Sequence, residues 1–246
     1  MLKELGPGLR LMIVFTVLTG LLYPVVMTGV SEVIFPKQAN GSLVTVNGKV
    51  VGSALIAQSF AKSEYFHPRP SAAGGGYDAT ASSGTNLGPT SAKLLHGTTK
   101  MDDKKNEVVD FDGIDDRIVH YCLDNDIPYT SSVPLDQFKD AQGNLDDVKL
   151  IKAFNDDKAP LVFTPKQAIP QDAVTASASG LDPHISPANA EMQATRVAKA
   201  RNVAADQVKQ LVAQFTERPD WGLFGEPRVN VLQLNIELDQ HFPASR

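Results

Sequence analysis

The chain has 246 residues, 42% of them hydrophobic and 21% charged, with a formal net charge of −5. That balance is globular and excludes a disordered or low-complexity chain, and the length accommodates a short anchor plus one domain with a core of its own. The negative charge is local: residues 100–160 hold fifteen of the 28 acidic side chains, and the remainder carries 13 acidic and 15 basic ones.

The first element is an apolar run from Leu11 to Val30, LMIVFTVLTGLLYPVVMTGV, without a charged residue. At about 1.5 Å per residue such a helix spans roughly 30 Å, the hydrocarbon thickness of a bilayer. A buried core helix rarely stays apolar all round for this length. A cleaved signal sequence would carry an apolar run of only about 7–15 residues and a small-residue cleavage site, which SEVIFPKQANGS lacks. The reading is therefore an uncleaved transmembrane helix at 11–31. Pro24 inside it is expected to kink the span and free a backbone carbonyl. Lys3 and Arg10 precede the span, whereas Glu32 follows it closely and Lys37 and Lys49 lie further on. This bias places residues 1–10 in the cytoplasm and residues 36–246 outside. The single cysteine, Cys122, has no intramolecular partner for a disulfide.

Asn47-Gly48 between SLVTV and KVVGSALIA reads as the turn of a hairpin. Residues 67–91, dense in Gly, Pro, Ser and Thr, read as one long shaped loop. Within the acidic region, DDRIVHYCLDND and NLDDVKLIKAFND have helical apolar spacing, so that region is a folded subdomain or insertion. Ser186 and Pro187 are an N-cap and first helical residue ahead of ANAEMQATRVAKAR, and DQVKQLVAQFTE forms the next helix. Asn230 with Gln233 resembles a capping box before VLQLNIELDQHF. The alternation of Leu232, Leu234, Ile236 and Leu238 leaves a strand open there, with helix preferred. The fold class is α+β: one N-terminal transmembrane helix followed by a single extracytoplasmic mixed domain.

Signatures of catalysis are missing from the sequence. Neither TASSG nor ASASG is a G-x-S-x-G elbow, and no Walker-type loop is present. Gly74-Gly75-Gly76 reads as a tight turn. His67, His96, His120, His184 and His241 lack metal-ligand spacing, so no metal site is expected. Asp110, Asp112, Asp115 and Asp116 around Gly113 depart from the EF-hand order and read as a solvated acidic face. RVAKARNVAADQVKQLV has the outline of a helix-turn-helix, but its second helix carries Asp206, Lys209 and Glu217 in an acidic domain, which argues against nucleic acid as a partner.

Five segments occur in a recognisable order: FPKQANGSLV, GSALIAQSF, YFHPRPSAAGGGYDATASSGTNLGPTS, VTASASGLDPHISPANAEMQATRVAKAR and GEPRVNVLQLNIELD. Together they resemble the C subunit of the Kdp potassium-transporting ATPase, a bacterial complex. The resemblance implies a non-catalytic accessory subunit in the plasma (inner) membrane, with membrane lipid, a potassium-conducting subunit and an ATP-hydrolysing subunit as partners. It implies a role in assembly and in raising the ATP affinity of the catalytic subunit. A nucleotide contact, if direct, maps to Gln193, with ATP as the ligand and no tightly bound cofactor. The alternative is an extracytoplasmic module that packs on the potassium-conducting subunit without any nucleotide role. Tyr65, Phe66, His67 and Arg69 in YFHPRP, together with Pro24 in the span, are the expected partner contacts, Tyr, Phe and Arg being enriched in interface cores; the alternative is that Tyr65 and Phe66 fill the domain's own core and His67 is satisfied there. The departure from the family is the acidic insertion at about 97–168, onto which no family role carries.

Overall fold

A computed structural model describes residues 2–243. The chain divides into two compact units, residues 1–55 and 56–246.

The first unit is built on a continuous apolar helix. Helix α1 (Leu2–Val17) passes through a π turn (Leu18–Leu22) into α2 (Tyr23–Ile34). Of this, Glu4–Ile34 is long and apolar enough to cross a membrane, and none of it is buried by the rest of the chain. An apolar surface on every side is what a helix in lipid presents and what a helix on a soluble core does not. The π turn explains how Pro24 is tolerated. Proline has no N–H to donate and its ring crowds the carbonyl four residues back. One turn ahead of it the helix widens, and the Tyr23 N–H bonds to the Leu18 carbonyl five residues earlier. The hydroxyls of Thr16, Thr19 and Thr28 donate to the carbonyls of Met12, Phe15 and Pro24 at 2.7–2.8 Å, so each is satisfied within its own helix. After a short helix α3 (Pro36–Ala39) comes the hairpin of β1 (Leu43–Val46) and β2 (Lys49–Ser53), turning at Asn47-Gly48 as read from the sequence. Both turn residues have positive φ, the conformation that favours Asn-Gly at this position.

The second unit has two hydrophobic centres. The larger is formed by α8 (Pro187–Arg201), α9 (Ala205–Gln214) and α10 (Val231–His241) against the three-stranded sheet of β7 (His184–Ile185), β9 (Arg228–Asn230) and β8 (Thr216–Glu217). Ala190, Ala194, Val197, Val208, Leu234 and Leu238 are completely inaccessible there. The caps are those read from the sequence: the Ser186 hydroxyl accepts from Asn189 N–H and the Asn230 side chain from Gln233 N–H. The last segment is therefore a helix. Its Asn230 cap satisfies an N–H that a strand register would have to pair elsewhere.

The smaller centre belongs to the acidic region. Between α4 (Ala92–His96) and α7 (Gln171–Val174) lie β3 (Thr98–Met101) paired with β4 (Glu107–Phe111), α5 (Ile114–Asp124), β5 (Tyr129–Ser131), α6 (Asp147–Phe154) and β6 (Phe163–Pro165), which pairs with β5. Val119, Leu135, Leu150, Phe154 and Leu161 form its core. One contact sets where α5 begins. A Cβ on Gly113 would lie 2.2 Å from the Gly97 nitrogen, so only glycine allows the entries to β3 and α5 to touch. Residues 54–91 contain no helix or strand, in line with the long loop read for 67–91.

Candidate functional site

The long loop turns at Ser63–Glu64, where Tyr65 N–H bonds to the Lys62 carbonyl, and then carries Phe66 and His67 inward with no strand beside them. Buried peptide groups must still find partners. They find them on side chains. The Asn235 carboxamide, on α10, accepts from Phe66 N–H and donates to the Phe66 carbonyl, both at 2.9 Å. The Gln193 carboxamide, on α8, does the same for His67 at 2.7 and 3.1 Å. Each amide presents one donor and one acceptor side by side, which is the pattern a neighbouring strand would offer. Two buried arginines of α8 complete the arrangement. Arg196 donates to the carbonyls of Ser63 and Tyr65, to Asn125 and to the Gln193 oxygen. Arg201 donates to the carbonyls of Glu64 and Phe242 and pairs with Asp239, while its guanidinium stacks on the Tyr65 ring at 4.9 Å.

This arrangement changes the meaning of the residues expected to contact partners. Phe66 is fully buried and fills the larger core, leaving nothing for a partner to touch. Tyr65 is anchored through its hydroxyl to Asp239 at 3.1 Å. Arg69 is turned onto Asp182 at 3.2 Å and the carbonyls of Thr175 and Ala176. Gln193 is 1% exposed. Its oxygen accepts from His67 and Arg196, and its nitrogen donates to the His67 carbonyl and Asn189, so its hydrogen-bonding capacity is filled. The structure thus brings Phe66, His67 and Gln193 together with Tyr65 beside them. Arg69 lies on a separate network, and Pro24 lies in the other unit with its surface open.

His67 and Gln193 also line a cleft of about 360 Å³ that borders the acidic subdomain, whose Asp116, His120, Tyr121 and Asp147 form the other wall. Tyr121 ties the two sides together by donating to the Asn189 side chain at 2.8 Å. The four aspartates around Gly113 do not form one solvated face. Asp110 is held by Lys93 and Lys100, whose hydrogen bonds draw its carboxyl down to about 2. Asp112 takes both ends of the Arg117 fork, and Asp115 pairs with His96. Asp116 instead points inward and is 3% exposed, and its Oδ1 has no hydrogen-bond partner. Burial pushes its carboxyl up to about 7.

Asp116 and His120 are four residues apart on one face of α5. His120 Nε2 lies 2.8 Å from Asp147 Oδ1, at the first residue of α6, and 4.0 Å from Asp116 Oδ2. The three side chains present ligand atoms within 4.8 Å of one another, a grouping able to hold a metal ion. The sequence reading expected no such group. The D-x-x-x-H spacing was visible in DDRIVHYC, but Asp147 arrives only through the packing of α6 on α5. Cys122, on the same helix, is buried and its thiol is pushed up to about 11 by desolvation.

His67 provides a pH readout of the cleft. Burial and the neighbouring Arg196 guanidinium lower its pKa from the ordinary imidazole value. The unfolded chain then binds this proton more tightly than the folded one. The contribution of neutral His67 to stability is complete above the ordinary imidazole pKa of about 6.5 and is lost as the pH falls through it. The prediction is that His67→Gln flattens the fall of unfolding free energy between pH 7.5 and 5. Urea titrations of both proteins across that range measure it.

The comparisons with known proteins fit this architecture. The family described as KdpC: K+-transporting ATPase, c chain, matches residues 5–115 and 141–240. The potassium-transporting ATPase KdpC subunit of Mycobacterium tuberculosis (strain H37Rv) is 40% identical over 240 residues, 98% of this chain and all of that relative. The KdpC subunits of Caulobacter sp. (strain K31) and Caulobacter vibrioides (strain NA1000) are 44% identical over 245 and 244 residues, covering 99% of this chain and 97% and 96% of theirs. These alignments run through the acidic region, so relatives share it. The part outside the family pattern narrows from about 97–168 to residues 116–140. Matched across its apolar N-terminal helix, loop segment and helical core, the chain belongs to the KdpC family, the c chain of the K+-transporting ATPase.

Proposed function

We propose that this chain is the accessory subunit that assembles with the potassium-conducting and ATP-hydrolysing subunits of a Kdp potassium uptake complex. One observation carries the reading: family membership extends over nearly the whole chain, including a helix long and apolar enough to cross a membrane, with its apolar surface unburied. The orientation we propose puts residues 1–10 on the cytoplasmic side of a bacterial plasma membrane and residues 36–246 outside, in keeping with Lys3 and Arg10 ahead of the span. The buried, protonated Cys122 makes a silent background for a thiol test. The exposed Asp157 supplies the site. A membrane-impermeant maleimide is expected to label Asp157→Cys on spheroplasts. Labelling only after the membrane is opened would reverse the orientation.

The effect on ATP affinity, in this reading, is indirect. A domain outside the membrane does not meet cytoplasmic ATP, and the Gln193 amide is already committed to His67, Asn189 and Arg196. Gln193 acts as a clamp on the 63–67 segment, and the rigidity of that segment is coupled through partner subunits to the catalytic one. Asn235 performs the same clamping from α10 and therefore discriminates between the two readings. Removing either amide leaves a buried N–H and C=O without partners, at about 1–3 kcal/mol per group. Gln193→Ala and Asn235→Ala are each expected to lower the melting temperature and to raise the ATP KM of the assembled complex alike. A KM effect confined to Gln193→Ala would establish a direct contact, and wild-type KM in both would remove the coupling.

A further inference from the structure

The trio of Asp116, His120 and Asp147 has features that an ordinary interhelix ion pair does not need. Asp116 is buried at the back of an open cleft, with one carboxylate oxygen that no protein group bonds. A His120–Asp147 pair alone would join α5 to α6, and it leaves Asp116 unexplained. Arg117, the next residue on this helix, spends its hydrogen bonds on both oxygens of Asp112 and on the Val174 carbonyl, and reaches Asp116 only as a charge. His120 Nε2 stands 4.0 Å from Asp116 Oδ2, at the limit of an ion pair, and a buried carboxylate so weakly compensated is costly unless a cation or a proton meets it.

We propose that Asp116, His120 and Asp147 bind a divalent transition-metal cation, Zn2+ being the best match, which staples α5 to α6 at the mouth of this cleft. The donor set decides the class. Two carboxylates and one imidazole suit Zn2+ better than Ca2+ or Mg2+, which take oxygen ligands. Tetrahedral Zn2+ with bonds of about 2.0–2.2 Å separates neighbouring ligand atoms by roughly 3.4 Å. The observed His120 separations of 2.8 and 4.0 Å bracket that value. Rotamer adjustments of under about 1 Å then close the site, and the open side of the cleft leaves the fourth position to water. Asp116 and His120 fall in residues 116–140, outside the part of the chain matched by the family pattern, while Asp147 falls inside it. The metal site is therefore a property of the longer acidic form, independent of the nucleotide coupling proposed above.

The test uses the full-length chain in detergent, stripped with EDTA and titrated with ZnCl2 by calorimetry. One Zn2+ per chain is expected. Asp116→Asn and His120→Ala should each weaken binding at least tenfold, with melting curves in EDTA confirming that the variants are folded. Imidazole NMR of the unaltered protein gives a reading that does not depend on any variant. On adding one equivalent of Zn2+ the His120 ring is expected to shift, while His184 and His241 stay in place. No stoichiometric binding, full affinity retained by both variants, or an unmoved His120 resonance would each overturn the proposal.

Discussion

The larger core of the second unit depends on how a stretch of backbone without a neighbouring strand is carried through the interior. Ser63–His67 has no strand beside it, yet Phe66 must be fully inside to complete the core of α8, α9 and α10. Two carboxamides and two guanidinium groups take the place of a strand, from Gln193, Asn235, Arg196 and Arg201. Three of the four come from one helix, so α8 is both core element and hydrogen-bonding template. Small residues on its packed face, Ala190, Ala194 and Ala198, let neighbours approach closely enough for these long side chains to reach the segment.

The same helix faces the acidic subdomain. Asn189, next to the Ser186 cap, accepts the Tyr121 hydroxyl and donates to Asp172, while its oxygen also receives the Gln193 amide. Arg196 reaches Asn125 at the end of α5. The subdomain has its own apolar centre, but polar groups of α8 join it to the rest.

Much of the fold was legible in the sequence because it follows local rules. The apolar run, the Asn47-Gly48 turn, the Ser186-Pro187 helix start and the Asn230 cap all act over a few residues, and each stands where it was read. The helices in DDRIVHYCLDND and NLDDVKLIKAFND follow from apolar periodicity. What resisted was tertiary. Aromatic and arginine residues in YFHPRP suit an interface and a core alike, and nothing local decides that Phe66 turns inward or that Arg69 finds Asp182. How the helix accommodates Pro24, by a π turn just ahead of it, does not follow from the proline alone. The Asp116–His120–Asp147 grouping spans two helices, and its third member is 27 residues from the second. Pattern reading along one element does not see it.

Amide hydrogen exchange at Phe66 and His67 in the intact chain tests the central claim most directly, because both lie in a stretch without secondary structure. If Asn235 and Gln193 hold these amides as a strand would, they will exchange as slowly as the buried amides of α8. Exchange at the rate of the neighbouring exposed loop would show that the clamp does not exist and that the core closes some other way.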